Sequence, residues 1–463
     1  MPQAIDTDVA PASAYVLRKT RGPDYLTVHS LLLLGYAVLG KLFAYIGFGS
    51  FYVGEIVLVL GILTFVTSPS QWGVLRSRHV WPLAALMLWG AARTVPYIET
   101  YGINALRDAV VWGYGTFAIL IAARIAAAPE TVSRLANCYA SFVKIFLVGA
   151  PLVWVLSTGL GLISFTVHGR AVPVLKGGEM LVHLAGVIAF VYLTVRAVPI
   201  AWLTVAPVVF AVGATNRGGL LSLGIALIVL FVARRQTARG VLLAAAFSVV
   251  IIAAAAFDVR FKVPESNKEL SPRTVAERVQ SIFTDTSKVQ YEATERWRLR
   301  WWKKIVQYTF FGPHFWFGKG FGPNVAYSDG VVSQTSDPLR SPHSGHFTFL
   351  ARGGVPGLAL WLFLQGAWFV GMVRRWRRCA GSGHSRLASM FLFLIVYWAA
   401  LVINASFDVF LEGPMGGIWF WSVFGAGLGI MIAYDRSVAA VRHSWAKRGI
   451  SCVATGKVLP GHC

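Results

Sequence analysis

Charge is scarce in this chain. Charged residues make up 13% of its 463 residues, whereas a soluble domain carries about 25%, so too little polar surface is available to hold the chain in water. Acids are scarcer than bases, with 20 Asp and Glu against 42 Lys and Arg. Cysteine is rarer still. Cys138, Cys379, Cys452 and Cys463 show no paired spacing and none lies in the long polar middle segment, so neither a disulfide framework nor zinc is suggested.

What the chain has instead is apolar length. Hydrophobic residues make up 56% of it, and the mean hydropathy is +0.61. Apolar runs of about 20 residues, each able to cross a bilayer core of roughly 30 Å, recur along most of it. They fall near 27–47, 52–68, 80–97, 108–127, 136–157, 179–196, 199–214, 218–233, 239–257, 347–372, 387–405 and 416–434. The predicted fold class is an all-α polytopic membrane protein of about twelve transmembrane helices, with one large periplasmic loop between the ninth and the tenth.

The net charge of +22 would suggest nucleic acid in a soluble protein. Here the cations collect in short loops and tails, as the positive-inside rule requires, so nucleic acid is not an expected partner. With a cytoplasmic N-terminus, the inside loops carry Arg76 and Arg78, Arg124 and Arg134, Arg196, Arg234 with Arg235 and Arg239, and Arg374, Arg375, Arg377 and Arg378. An odd number of spans would put one of these clusters outside. The predicted organisation is a tail and about nine spans over 1–257, an outside segment over 258–346, about three spans over 347–434 and a basic tail over 435–463. The first apolar run, near Leu26, is too long for a cleaved signal peptide and reads as a retained helix. Asp6-Thr7-Asp8 has the aspartate spacing of metal-dependent sugar transferases, but it lies in a tail with nothing folded around it.

The outside segment is not a linker. From Arg296 to Tyr308 it reads as an amphipathic helix, with Trp297, Trp301, Ile305 and Tyr308 on one face and Arg296, Arg300, Lys303, Lys304 and Gln307 on another. Such a helix is expected in the membrane interface, as a plain anchor or with its cations turned to an anionic ligand. A turn-rich aromatic strip comes next, Phe311 to Asn324. Its Gly318-Lys319-Gly320-Phe321-Gly322 lacks the Lys-Ser/Thr ending of a phosphate-cradling loop.

Two polar features beside the apolar runs are costly. Arg217, in Thr215-Asn216-Arg217-Gly218-Gly219, joins two of them. An arginine deep in a membrane costs roughly 3 kcal/mol, and such residues line a cavity, meet an anion or reach headgroups. Asp408 and Glu412 sit in a short outside loop. The polar segment then closes on Ser341-Pro342-His343-Ser344-Gly345-His346, flanked by Arg340 and Arg352, at the start of the tenth run. By itself His343 reads as a cap of that helix, and a metal site on His343 and His346 lacks an evident third ligand.

The stretch resembles the signature of the O-antigen ligase and polymerase superfamily, membrane glycosyltransferases of the outer face of the Gram-negative inner membrane. That signature has a histidine, then Asn, Ser or Gln, nine residues, a glycine, two residues, and Gly, Thr or Tyr. Here His343 is followed by Ser344, the nine residues run from Gly345 to Gly353, and Gly354 and Gly357 complete it. Arg217 matches an arginine that the family carries at an outward helix end, and Arg298 resembles a second one in the large loop, with Arg300 as a register alternative. Asp408 corresponds, through a weaker motif, to an acid that comes after the histidine.

The resemblance implies an enzyme without a cofactor, whose donor is a glycan on undecaprenyl diphosphate in the bilayer and whose acceptor is lipid A-core or a growing polysaccharide. His343 would be the catalytic base, Arg217, Arg298, Arg300 and Arg340 would bind the diphosphate, and Ser344, Gly354, Gly357 and Asp408 would support them. Guanidinium binds phosphate oxygens in a bidentate fork, so such a site needs no metal. The expected location is the inner membrane, with the site facing the periplasm. The alternative is a transporter or flippase of lipid-linked glycans, a class in which internal repeats are usual. The sequence shows none, and the ligase and polymerase readings stay equally open.

Overall fold

The computed structural model describes residues 24–49, 51–167, 170–214, 216–235, 261–262, 269–270, 289–334 and 339–447. The ninth expected span, 239–257, lies outside them, as do residues 1–23 and 448–463, whereas the expected basic tail from 435 begins as a continuation of the last helix. The protein is a helical membrane protein in which the described strands are three hairpins with strands of 2 residues.

The principal helices among the described residues are α1 (Tyr25–Leu39), α2 (Val53–Val66), α3 (Trp81–Ala92), α4 (Ile103–Ala127), α5 (Thr131–Gly159), α6 (Gly177–Tyr192), α7 (Ile200–Gly213), α8 (Arg217–Ala233), α9 (Val289–Phe310), α10 (Gly345–Gly381), α11 (Ser385–Ala405) and α12 (Pro414–Lys447). Of these, α4, α5, α10, α11 and the apolar part of α12 are long and apolar enough to cross a membrane. Helices α1, α2, α6, α7 and α8 are shorter apolar helices at expected spans.

Helix α12 is the central element, its apolar stretch almost wholly buried. It lies closest to α4, because Gly425 and Gly429 bring its backbone onto Ala118 and Ala122. Small residues at such crossings let helices approach within a membrane, where lipid is as apolar as leucine. Helices α6, α8 and α11 form a second packed group, and α10 joins it through α11 while contacting α3 on its other side.

A kink and a loop crossing in α10 hold the polar lip in place. The first turns of the helix are separated from the rest by Gly354, at φ 69° and ψ −170°. A Cβ there would stand 2.5 Å from the Phe315 carbonyl oxygen, so the aromatic strip and the kink occupy each other's space. Backbone bonds seal the crossing. Lys319 and Gly320 donate to the carbonyls of Ala351 and Arg352 at 2.8 and 2.9 Å, and Val355 donates to Phe315 at 2.8 Å. Trp89 Nε1 donates to the Gly353 carbonyl at 2.9 Å.

Helix α9 corrects one expectation. Its apolar face is covered by protein, not turned to lipid: Trp301 and Ile305 are buried with Val325, Ala326, Leu350 and Ala351. Trp302 stacks on Phe347 with ring centroids 4.7 Å apart and donates to the Pro342 carbonyl at 2.8 Å. The helix is therefore a buttress of the polar lip.

Candidate active site

The lip is held by three acids, Asp108 and Asp329 buried and Glu412 half-buried. Asp108 of α4 receives Arg340 through Nε at 3.2 Å and Nη2 at 2.8 Å, Arg352 at 3.0 Å and the backbone N–H of Gly322 at 3.1 Å. Asp329 receives Trp301 at 2.6 Å and Lys319. Glu412 receives the hydroxyls of Ser341, at 2.7 Å, and Thr348. Burial pushes the Glu412 carboxyl upward, and those two hydroxyls offset part of the rise. Paired this way, acids and cations avoid the several kcal/mol that an unpaired buried charge would cost.

Within that frame His343 is set in an uncommon backbone conformation, φ +56°. For a residue with a Cβ this left-handed geometry is disfavoured, and its cost is carried by the surrounding structure. Ser344, not His343, occupies the N-cap position of α10, so His343 lies one residue outside the helix. Its ring meets Trp297 edge-on, with centroids 5.7 Å apart.

His343 Nδ1 stands 3.9 Å from Asp408 Oδ1. That is beyond hydrogen-bond distance, and this buried nitrogen has no hydrogen-bond partner among the described residues. Burial and the nearby Arg298 guanidinium lower the imidazole to about 4, with Asp408 opposing them. The ring is neutral at neutral pH.

Asp408 is shared. Its other oxygen takes the Lys176 ammonium at 3.4 Å, and Oδ1 accepts from the Val409 N–H at 2.8 Å. Burial alone would raise Asp408, but Lys176, the Val409 N–H and His343 together hold it below the usual carboxylate range. Lys176 precedes the first residue of α6 and also lies 4.0 Å from Glu179. Burial pulls its ammonium down, and Asp408 and Glu179 more than restore it.

Arg298 reaches the same loop from α9, donating to the Phe407 carbonyl at 3.0 Å. Arg300 is exposed and bonds the Arg296 carbonyl of its own helix at 3.3 Å, which places Arg298 and not Arg300 on the histidine side. Arg217 opens α8, where Asn216 caps the helix by accepting from the Gly219 N–H at 2.8 Å. The neighbouring Gly218 lies against Phe407, and Gly219 lies against Gly178 of α6. The starts of α6 and α8 thus abut each other beside the Asp408 loop. Asn404, at the end of α11, is fully buried beside both, and neither polar atom of its amide has a hydrogen-bond partner among the described residues.

The structure therefore groups His343, Asp408 and Arg298 at one locus and sets the backbone of Arg217 at its edge. Lys176 and Asn404 belong to that locus and carry no signal in the sequence. Arg340, expected as a phosphate ligand, is occupied by Asp108 and by the Gly322 carbonyl at 2.7 Å. His346 is engaged at both ring nitrogens. It accepts from Trp361 Nε1 at 2.8 Å, which leaves Nε2–H to donate to the Ser406 hydroxyl at 2.8 Å, so neither nitrogen is open to a metal.

Residues 202–362 match the family model of the O-antigen ligases. The matched stretch contains Arg217, Arg298, His343, Gly354 and Gly357 and ends before Asp408. No curated protein matches the chain at a significant level.

Proposed function

We propose that this protein is a membrane glycosyltransferase that moves a glycan from undecaprenyl diphosphate to a sugar hydroxyl of lipid A-core or a growing polysaccharide. The locus would face the periplasm of a Gram-negative cell, in a bilayer crossed by about twelve helices. The observation that carries the reading is the meeting of a neutral His343, whose Nδ1 has no hydrogen-bond partner among the described residues, with Arg298 of the same ligase-like stretch and with Lys176 from outside it.

The chemistry rests on those groups. The acceptor oxygen attacks the anomeric carbon as the bond from that carbon to the phosphate oxygen breaks, and its electron pair stays on the diphosphate. The hydroxyl proton passes to His343, which must be neutral to accept it. Charge that builds on the leaving diphosphate meets Arg298, Lys176 and Arg217 together with the positive ends of α6 and α8. Fixed cations and dipoles in a dry site stabilise such charge better than water does.

An imidazole lowered to about 4 is a weak base. A bound diphosphate corrects this, because its negative charge offsets the cations that depress His343 and raises the ring toward the useful range. The site is thereby armed by its own donor. Asp408 then accepts from Nδ1–H, which leaves Nε2 to take the proton. The Asn404 amide, without a hydrogen-bond partner among the described residues, would supply further polar contacts to the donor.

The test is transfer by the purified full chain in liposomes loaded with undecaprenyl-diphosphate glycan and lipid A-core. His343→Ala should abolish product while the protein remains inserted and abundant. Full transfer by that variant would refute the mechanism, and a cytoplasmic signal from a reporter fused within 270–290 would refute the topology.

A further inference from the structure

At the far end of α10 from His343, a cleft of about 550 Å³ opens between that helix and the turn before α3. One wall is apolar and turned outward, with Phe363 63% and Val370 43% exposed. The mouth is formed by Arg78, Arg374 and Arg378, all exposed and none with an acidic or hydrogen-bonded side-chain partner among the described residues. The neighbouring Arg375 and His79 are already spoken for, both holding Asp435. That acid is neutralised within the protein and does not repel an incoming anion.

We propose that this cleft is a binding site for one anionic phospholipid. The ligand must be charged at one end and apolar along its length, because the cleft is. Phe363 and Arg374 are eleven residues apart on one helix, a rise of roughly 16 Å, and half of a bilayer's hydrocarbon core is roughly 15 Å. A phosphodiester at the arginines therefore places an acyl chain along Val370 down to Phe363. A soluble phosphate would use only the mouth, and a neutral phospholipid only the wall. Basic pockets between membrane helices are suited to acidic headgroups for this reason.

The experiment uses the detergent-purified full chain, titrated with phosphatidylglycerol in phosphatidylcholine micelles and read by native mass spectrometry. One phosphatidylglycerol should stay bound per chain at voltages that strip phosphatidylcholine. The combined variant Arg78→Gln, Arg374→Gln, Arg378→Gln should retain it at least tenfold less. Gly366→Leu fills the cleft with every arginine kept. A Cβ there meets no neighbouring atom within 4 Å, so the backbone accepts a side chain at this point, and this variant should lose the lipid as well. Circular dichroism and elution volume report folding for each. Retention by Gly366→Leu equal to the unaltered chain would overturn the proposal in favour of diffuse surface attraction. So would equal retention of phosphatidylcholine, or full displacement of the lipid by millimolar inorganic phosphate.

Discussion

Asp408 lies between His343 and Lys176, with Oδ1 3.9 Å from the imidazole Nδ1 and Oδ2 3.4 Å from the ammonium. The carboxylate cannot serve both equally. It stands nearer the lysine, and in the proposed reaction a donor diphosphate would draw Lys176 away and free it for the histidine. Asp408→Asn keeps the shape and removes the charge that would support an imidazolium. Transfer should fall by roughly 10² or more, with normal insertion. Lys176→Arg should keep more activity than Lys176→Ala, and the alanine variant should show its loss mainly as a raised KM for donor. Equal kinetics for all three variants and the unaltered chain would remove this triad from the mechanism.

The pH profile carries a sign that can be checked. The folded histidine lies at about 4 and the unfolded one near 6.5, so the unfolded chain binds a proton between those values that the folded chain refuses. Stability from this group is complete above pH 6.5 and is lost as pH falls through 4, by up to roughly 3 kcal/mol. His343→Asn should flatten that part of the stability curve. The acid limb of kcat/KM, which reports the free enzyme, should lie near pH 4 and not near 6.5. Arg298→Gln removes one cause of the depression and should move the limb upward while raising the donor KM. An acid limb at 6.5 that Arg298→Gln leaves in place would contradict the assignment of the base.

Arg340 and Arg298 look alike in the sequence and should separate in experiment. Arg340 is nearly buried against Asp108, and removing one partner of such a pair costs about 3–5 kcal/mol. Arg340→Ala should lower the melting temperature and the yield, while the fraction that folds keeps its donor KM. Arg298→Ala should do the reverse. A donor KM that rises equally in both would return Arg340 to the phosphate site.

The helices were legible because apolar run length survives any packing, and helices occupy the expected spans wherever the described residues cover them. His343 was legible through the spacing to Gly354 and Gly357, although the reason for Gly354 was not. Its backbone must pass the Phe315 carbonyl, and no local pattern announces a crossing between two loops. Lys176 could not be read for the same kind of reason. It lies 232 residues from Asp408, and one lysine before a glycine pair looks like any loop cation. The α9 face is apolar as its spacing predicts, but protein covers it in place of lipid, because amphipathicity states that a face is covered and not by what.

Asn404 offers the sharpest separation of function from stability. A buried amide with neither donor nor acceptor satisfied costs about 1–3 kcal/mol, and proteins keep such costs where a ligand repays them. Asn404→Leu has similar volume and removes the polar atoms, so the resting protein should melt at the same temperature or higher. Transfer should nevertheless fall about tenfold, the worth of a contact of roughly 1.4 kcal/mol, because the donor loses a partner beside the starts of α6 and α8. Asn404→Asp tests the sign of the charge. A carboxylate there repels the diphosphate and should raise the donor KM more than leucine does. If Asn404→Leu is both more stable and fully active, the amide is not a donor contact, and the junction of α6, α8 and α11 lies outside the site.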